Sequence, residues 1–178
     1  MYGIIIIGPP CSGKSTIGQN YSQQHKIGYI SSGDIARRMA ARDPRVDKEL
    51  SEGKLAPEAA MRHAIGDEIL MRTGRDMPFI LDGFPRFPEQ NEWLLSNFGK
   101  KIHFIYVLID TPIDLCVKRA KLRDRSDDAA ISKRITYFQT ETLAMVEYID
   151  LTVKVMESSD AVDAIHRHIM RLASTSDL

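Results

Sequence analysis

The residues with the clearest chemical meaning lie near the start of the chain, where Gly8-Pro9-Pro10-Cys11-Ser12-Gly13-Lys14-Ser15 follows an apolar run. The spacing fits G-x-x-x-x-G-K-[ST], the pattern of a phosphate-binding loop, or P-loop. Glycines let backbone N–H groups turn toward phosphate oxygens, the lysine reaches the β- and γ-phosphates, and a hydroxyl can bind Mg²⁺. A glycine-rich turn without a ligand is the alternative. The β-branched strand before the loop and the helix formers after it favour the P-loop.

Two further stretches carry anion-binding residues directly after apolar strands. Asp82 begins the segment Asp-Gly-Phe-Pro-Arg, in which the carboxylate can hold a water of the Mg²⁺ shell and Arg86 can bind a phosphate through two N–H groups. Ser32 and Arg37 lie at the start of a predicted helix and form a second candidate anion site. An ordinary turn, a helix N-cap and a solvated arginine are the alternatives. A kinase with a phosphorylated acceptor needs two facing phosphate sites, whereas a simple NTPase does not.

Four arginines, Arg119, Arg123, Arg125 and Arg134, form a third group around a short charged segment. Phosphoryl transfer spreads negative charge over oxygens, which guanidinium groups neutralise while staying protonated. Helix C-terminal charges and pairs with Asp127 or Asp128 explain any one of them equally well. We expect the four together to converge on the edge of the sheet that carries the P-loop.

These segments must be positioned by an alternation of strands and helices. Apolar strands are predicted at 2–7, 27–30, 79–81, 102–109 and 151–156, with helices between them, a longest helix over 131–148 and a last helix over 161–172. Such alternation predicts an α/β fold of the P-loop NTPase type, three layers α/β/α with a five-stranded parallel sheet. Ligands of these sheets bind beyond the carboxyl ends of the strands, where all three stretches fall.

Composition narrows the class of protein. The 178 residues suit one domain, 1–178, and Lys plus Arg and Asp plus Glu both count 24, so no net field indicates a nucleic acid or a membrane as partner. Two cysteines, Cys11 and Cys116, support neither a disulfide framework nor a zinc knuckle. No apolar run approaches the roughly 20 residues that span a bilayer. We expect a cytoplasmic monomer.

Taken together, the motifs resemble the adenylate kinases among the nucleoside monophosphate kinases. The resemblance covers nearly the whole chain and rests on the combination of the P-loop, Ser31-Ser32-Gly33-Asp34-x-x-Arg37, Gly53-Lys54-Leu55, Asp82-Gly83-Phe84-Pro85-Arg86-x-x-x-Gln90, Arg119-x-x-x-Arg123, Arg125-x-Asp127-Asp128 and Lys133-Arg134. It implies a helical segment at about 31–61 that binds the nucleoside monophosphate. It also implies a very short lid at about 120–130, because Arg123 and Arg125 are separated by one residue.

The resemblance implies a role for each matching residue. The ATP-binding residues are Pro10, Cys11, Ser12, Gly13, Lys14, Ser15, Thr16, Arg119 and Arg123. The AMP-binding residues are Ser32, Arg37, Leu55, Ala56, Gly83, Arg86, Gln90, Arg125 and Arg134. The catalytic residues are Lys14, Asp82, Arg86, Arg123, Arg125 and Arg134. Mg²⁺ is bound by Ser15 or Thr16 and, through water, by Asp82.

The resulting hypothesis is reversible transfer of a phosphoryl group from Mg-ATP to AMP, giving two ADP. A glutamine amide both donates and accepts hydrogen bonds, so Gln90 suits adenine, although an exposed helix residue is the alternative. UMP/CMP kinase activity and a P-loop ATPase or ATP-binding switch acting through a partner are the rival functions.

Cys11 stands where glycine is usual, which puts the backbone approach to phosphate in question.

Overall fold

The computed structural model describes residues 1–123, 130–154 and 158–175. One sheet contains the strands β1 (Tyr2–Ile7), β2 (Gly28–Ser31), β3 (Phe79–Asp82), β4 (His103–Asp110) and β5 (Leu151–Lys154). Every pairing is parallel, and the strand order is β2-β3-β1-β4-β5. The helices are α1 (Lys14–His25), α2 (Ser32–Ala40), α3 (Pro44–Ser51), α4 (Glu58–Thr73), α5 (Pro88–Phe98), α6 (Ile113–Arg123), α7 (Ile131–Thr140) and α8 (Ser158–Ser174).

The sheet has a hydrophobic core on each face, which explains the unbroken apolar run of β1. Ile4 and Ile6 pack on the side of α1 and α8, whereas Ile5 and Ile7 pack on the side of α4 and α5. Successive side chains of a strand point to opposite faces, so a strand covered on both sides is apolar throughout. This three-layer α/β/α arrangement confirms the predicted fold class and the five-stranded parallel sheet.

The predicted helix over 131–148 is wrong in length. α7 ends at Thr140, and a 3-10 helix (Thr142–Tyr148) follows it. Thr142 and Met145, three residues apart, are both buried. A 3-10 helix has three residues per turn and therefore places both side chains on the same face, toward the core. Within the described residues the longest helix is α8, with 17 residues.

The strand register brings the chemistry-bearing segments to one edge of the sheet. Asp82, the last residue of β3, is paired with Ile6 of β1 on one side and Ser31 of β2 on the other. The P-loop, which follows β1, therefore lies beside the segment that follows β3. The last residue of β2 also caps α2, because the Ser31 hydroxyl accepts a hydrogen bond from the Asp34 N–H at 3.1 Å.

The predicted nucleoside-monophosphate segment, 31–61, contains α2, α3 and the beginning of α4. Asp43 begins α3 as its N-cap, with Pro44 in the first turn. The predicted lid, about 120–130, includes 124–129, which lie outside the described residues, and so remains a prediction. Within the described ranges, no helix combines the length and apolar character needed to cross a bilayer.

Candidate active site

The P-loop keeps a glycine-type backbone at the position occupied by cysteine. Cys11 has a φ of 61° and Gly13 a φ of 102°, so both lie in the left-handed region that side chains disfavour. Behind the loop, the Ser12 carbonyl accepts hydrogen bonds from the Thr111 hydroxyl at 3.0 Å and from Arg119 at 3.1 Å. These contacts from the end of β4 and from α6 hold the loop against the sheet.

Lys14 folds back over its own loop. Its Nζ donates to the carbonyls of Gly8, at 2.8 Å, and Pro9, at 2.7 Å. Burial, together with the positive charges of Arg86 and Arg134, lowers the pKa of Lys14 to about 8, against the opposing effect of the Asp82 carboxylate. A cation in this position is poised for an anionic ligand, since added negative charge favours its protonated form.

The buried Asp82 carboxylate joins three elements. Its Oδ2 accepts hydrogen bonds from the Ser15 hydroxyl of α1 and the Tyr29 hydroxyl of β2, each at 2.7 Å. Burial and the negative charge of Asp82 raise the pKa of Tyr29, so its hydroxyl stays a donor. The two predicted metal ligands of α1, Ser15 and Thr16, are both exposed, and the contact with Asp82 is made by Ser15. A hydroxyl beside a carboxylate is a hard oxygen donor set, which fits Mg²⁺.

The segment after β3 is built around the Gly83 carbonyl. It accepts hydrogen bonds from the Ser32 hydroxyl at 2.7 Å and from Arg86 Nε at 2.8 Å. Gly83 has a φ of 76°, and a Cβ atom there would lie 2.7 Å from the Ser32 hydroxyl. Glycine is therefore required where the two candidate acceptor-phosphate residues meet.

Gln90, in the first turn of α5, is buried, contrary to the alternative of an exposed helix residue. Its Oε1 accepts a hydrogen bond from the Arg86 backbone N–H, and its Nε2 donates to Glu58 Oε2, both at 2.7 Å. Glu58 also forms an ion pair with Arg62, whose guanidinium lies over the Trp93 ring, 5.9 Å from its centroid. Gln90 is 3% exposed.

Two adjoining cavities lie at the carboxyl ends of the strands. The larger, about 560 Å³, lies between α2, α3, the start of α4 and the segment after β3. The smaller, about 120 Å³, lies over the P-loop and Asp82. Their linings share Ser32, Gly33, Arg37, Leu55, Gly83, Arg86 and Arg134. The shared arginines place positive charge at the boundary between the cavities.

Most of the predicted site residues line these cavities. Pro10, Cys11, Lys14, Ser15 and Asp82 line the smaller one, and Ala56 and Gln90 line the larger one. Arg37 also forms an ion pair with Asp34, with about half of each side chain exposed.

Other predicted residues are placed elsewhere. Ser12, Gly13, Thr16 and Arg119 are absent from both described linings. Arg123 ends α6, and Arg125 lies outside the described residues.

Two residues at the site were not found from the sequence: Tyr29 and Glu58. Tyr29 lies 53 residues before its partner Asp82, and Glu58 lies 32 residues before Gln90. For Tyr29 the sequence does offer a signal. Tyr29 and Ser31 are two residues apart and therefore share a face of β2, at the end of the strand that is paired with Asp82.

Comparisons with known proteins indicate one family. The adenylate kinase family model matches residues 6–153. An adenylate kinase of Mycobacterium leprae is 28% identical over 170 residues, covering 91% of this chain and 93% of that protein. Adenylate kinases of Leptospira biflexa and Encephalitozoon cuniculi are each 33% identical, covering 85% and 82% of this chain and 88% and 81% of their own lengths.

A solved structure extends the likeness to the fold. A gluconokinase from Sinorhizobium meliloti superposes with a TM-score of 0.71 at 16% sequence identity, covering 98% of this chain and 94% of that one. At this identity the match concerns the fold alone, which is that of a P-loop kinase. With the family match over most of its length, the chain belongs to the adenylate kinase family and is a phosphotransferase enzyme of the nucleoside monophosphate kinase type.

Proposed function

We propose that the protein catalyses reversible phosphoryl transfer from Mg-ATP to AMP, giving two ADP. The observation that carries the proposal is the pair of adjoining cavities with Arg86 and Arg134 in both linings. A P-loop NTPase that only hydrolyses ATP has no need of a second cavity of about 560 Å³ facing its P-loop. A kinase needs that cavity for the acceptor nucleotide, with its phosphate at the shared boundary.

The donor side consists of the P-loop and its surroundings. Lys14 binds the β- and γ-phosphates of ATP, exchanging its bonds to the Gly8 and Pro9 carbonyls for phosphate oxygens. The backbone from Pro10 to Thr16 supports these phosphates from the start of α1. Arg119, on α6 behind the P-loop, lies against the donor base in this proposal. Thr16 contributes backbone and not a metal ligand.

The metal site uses Ser15 and Asp82. Ser15 and Asp82 would hold Mg²⁺, with Asp82 acting through water, because the two side chains already face each other at 2.7 Å. A Mg²⁺ ion held there would supply positive charge that offsets the charge of the β- and γ-phosphates. Among the described residues, no group of three or more His, Cys, Asp or Glu side chains could hold a metal ion, so this site depends on the nucleotide's own oxygens.

The acceptor side binds AMP through its phosphate and its base. Arg37 and Arg86 hold the phosphate, with Ser32 and Gly83 fixing the position of Arg86. Gln90, which lines the larger cavity together with Leu55 and Ala56, recognises adenine.

Transfer itself requires no protein nucleophile or base in this scheme. Arg86, Arg123, Arg125 and Arg134 neutralise the charge of the migrating phosphoryl group, and the two cavities hold donor and acceptor in line. We propose that the enzyme acts as a monomer on nucleotides, without a nucleic-acid or membrane partner.

The test is ADP formation from Mg-ATP with AMP, CMP, UMP or GMP, followed by chromatography. AMP should be the preferred acceptor. An Arg86→Ala variant should lose about 10²-fold or more in kcat, as expected when one donor to a transition-state oxygen is removed. Arg45→Ala is the matched control, since Arg45 is 90% exposed, pairs with Asp43 and lines neither cavity.

The same assay separates the rival functions. Preference for UMP or CMP would assign the larger cavity to a pyrimidine. ADP formation at one slow rate with every acceptor, unchanged in Arg86→Ala, would contradict the kinase proposal and favour an ATPase or switch.

A further inference from the structure

The orientation of the Gln90 amide is fixed from both ends. The Arg86 backbone N–H can only donate, so the group 2.7 Å from it is the amide oxygen. The Glu58 carboxylate accepts, so the group 2.7 Å from Oε2 is the amide NH₂. Turning the amide over would set its oxygen against a carboxylate oxygen and its NH₂ against an N–H.

This orientation affects base recognition, because two kinds of purine present opposite arrangements of hydrogen-bond donor and acceptor at position 6 and N1. A 6-aminopurine such as adenine offers a donor at N6 and an acceptor at N1. A 6-oxopurine such as hypoxanthine offers an acceptor at O6 and a donor at N1. A glutamine amide has two donors and two lone pairs, and the bonds to Arg86 and Glu58 take one of each. An amide that could turn over would match either purine.

We propose that Glu58 is a specificity-determining residue, which holds Gln90 in the orientation that accepts a 6-aminopurine and rejects a 6-oxopurine. The inference rests on the proposed function, in which Gln90 faces the acceptor base. Glu58 acts through Gln90 and is a positioning residue. Without the carboxylate, only the Arg86 N–H opposes turning of the amide, so the pocket discriminates less against the 6-oxopurine.

Contacts around Glu58 fit this role. Glu58 begins α4, whereas Gln90 lies on α5, so the hydrogen bond links two helices that border the larger cavity. The ion pair with Arg62, one turn further along α4, and the position of the Arg62 guanidinium over the Trp93 ring of α5 hold the carboxylate in place. The alternative is that Glu58 only complements the dipole at the start of α4, a role that affects stability and leaves base choice unchanged.

The experiment compares AMP with inosine monophosphate, which differs from AMP in this edge of the base alone. We would measure kcat/KM for both acceptors with Mg-ATP in the wild type, in Glu58→Gln and in Glu68→Gln. A glutamine at position 58 can donate or accept and therefore tolerates both orientations of Gln90. Glu68 is the matched control, because it lies on the same helix and pairs with Arg72 at 2.5 Å.

The wild type should favour AMP over inosine monophosphate, and Glu58→Gln should lower that ratio about tenfold or more, the scale of one hydrogen bond to a charged group. The value of kcat/KM for inosine monophosphate should rise in absolute terms, which no loss of stability produces. Glu68→Gln should leave the ratio unchanged. If Glu58→Gln does not fold, Glu58→Ala, which also removes the carboxylate that accepts from the Gln90 amide, must show the same change.

Two results would overturn the inference: a wild type that uses both acceptors equally well, or Glu58 variants that keep the wild-type ratio. A wild type that transfers nothing to AMP would instead contradict the proposed function. The two failures are thus distinguishable.

Discussion

At the scale of single residues, Lys14 carries the most specific consequence for pH dependence. Its pKa is lowered to about 8 by burial and by the nearby arginines, so the free enzyme loses this positive charge as the pH rises through about 8. We predict that kcat/KM for ATP falls above that pH, approaching tenfold per unit. Bound phosphates favour the ammonium form, so kcat at saturating ATP should stay level over the same range.

A Lys14→Arg variant tests the assignment, because a guanidinium stays protonated throughout. Its activity should be lower overall, without the alkaline decline near pH 8. Steady-state pH profiles of the wild type and the variant, extended well above and below that pH, provide the measurement. A wild-type profile that stays level far into the alkaline range, or a Lys14→Arg profile with the same decline, would show that another group is responsible.

The choice between the two adjacent hydroxyls gives a second residue-scale prediction. Ser15 and Thr16 are both exposed, and the Ser15 hydroxyl contacts Asp82 Oδ2 at 2.7 Å. Ser15→Ala should lower the affinity for Mg²⁺ about tenfold or more, which is the usual effect of losing a metal-site partner. Thr16→Ala should change the affinity little. The readout is Mn²⁺ binding in the presence of ATP, measured by electron paramagnetic resonance, alongside Mg²⁺ titration of activity. The opposite ranking of the two variants would assign the metal to Thr16.

Some residues of the site were predicted from the sequence and others were missed. The P-loop, Asp82 and Arg86 were predicted because their chemistry is encoded in short, contiguous patterns at strand ends. Tyr29 and Glu58 were missed because their roles depend on partners 53 and 32 residues away. The burial of Gln90 is likewise a result of packing, since its position on a helix is compatible with exposure.

At the scale of elements, two glycines should respond to alanine in opposite directions. Gly83 has a φ of 76°, and its Cβ would lie 2.7 Å from the Ser32 hydroxyl. Gly66 lies inside α4, where a Cβ would meet the Trp93 ring at an ordinary 3.7 Å. We predict that Gly83→Ala lowers the free energy of unfolding by about 1–3 kcal/mol, because the backbone is strained and the contact too close. Gly66→Ala should raise it by about 0.5–1 kcal/mol.

Urea unfolding followed by circular dichroism measures both changes. Each variant serves as the control for the other, since both add one methyl group. Equal effects of the same sign would mean that the backbone at Gly83 is not held in the left-handed region.

The elements were predicted well where one pattern dominates. All five strands were predicted from apolar runs, with bounds one residue off for β2, β3 and β4, and with 155–156 of the predicted last strand outside the described residues. α8 was predicted from the apolar spacing of Val162, Ile165 and Ile169, all buried in the structure. The break between α7 and the 3-10 helix was missed. The residues around Glu141 contain no proline or glycine, and the change of period follows from the burial of Thr142 and Met145 against the rest of the fold.

At the scale of the whole molecule, strand order brings the site together. β1 lies between β3 and β4, so the P-loop adjoins both the Asp82 segment and the residues after β4 that contact Ser12. α2, α3 and the start of α4 then form the wall of the larger cavity. This edge was predicted as the ligand site because ligands of parallel sheets bind beyond the carboxyl ends of the strands. That two cavities meet at Arg86 and Arg134 could be seen only in the folded structure.

Following the γ-phosphoryl group of ATP tests directly whether the enzyme transfers this group to AMP or releases it by hydrolysis. ATP radiolabelled in its γ-phosphate would be incubated with Mg²⁺ and the enzyme, with and without AMP, and the products separated by chromatography. We predict that with AMP the label appears in ADP, and that without AMP little label is released. Label recovered as inorganic phosphate at the same rate in both reactions would contradict transfer between the two cavities.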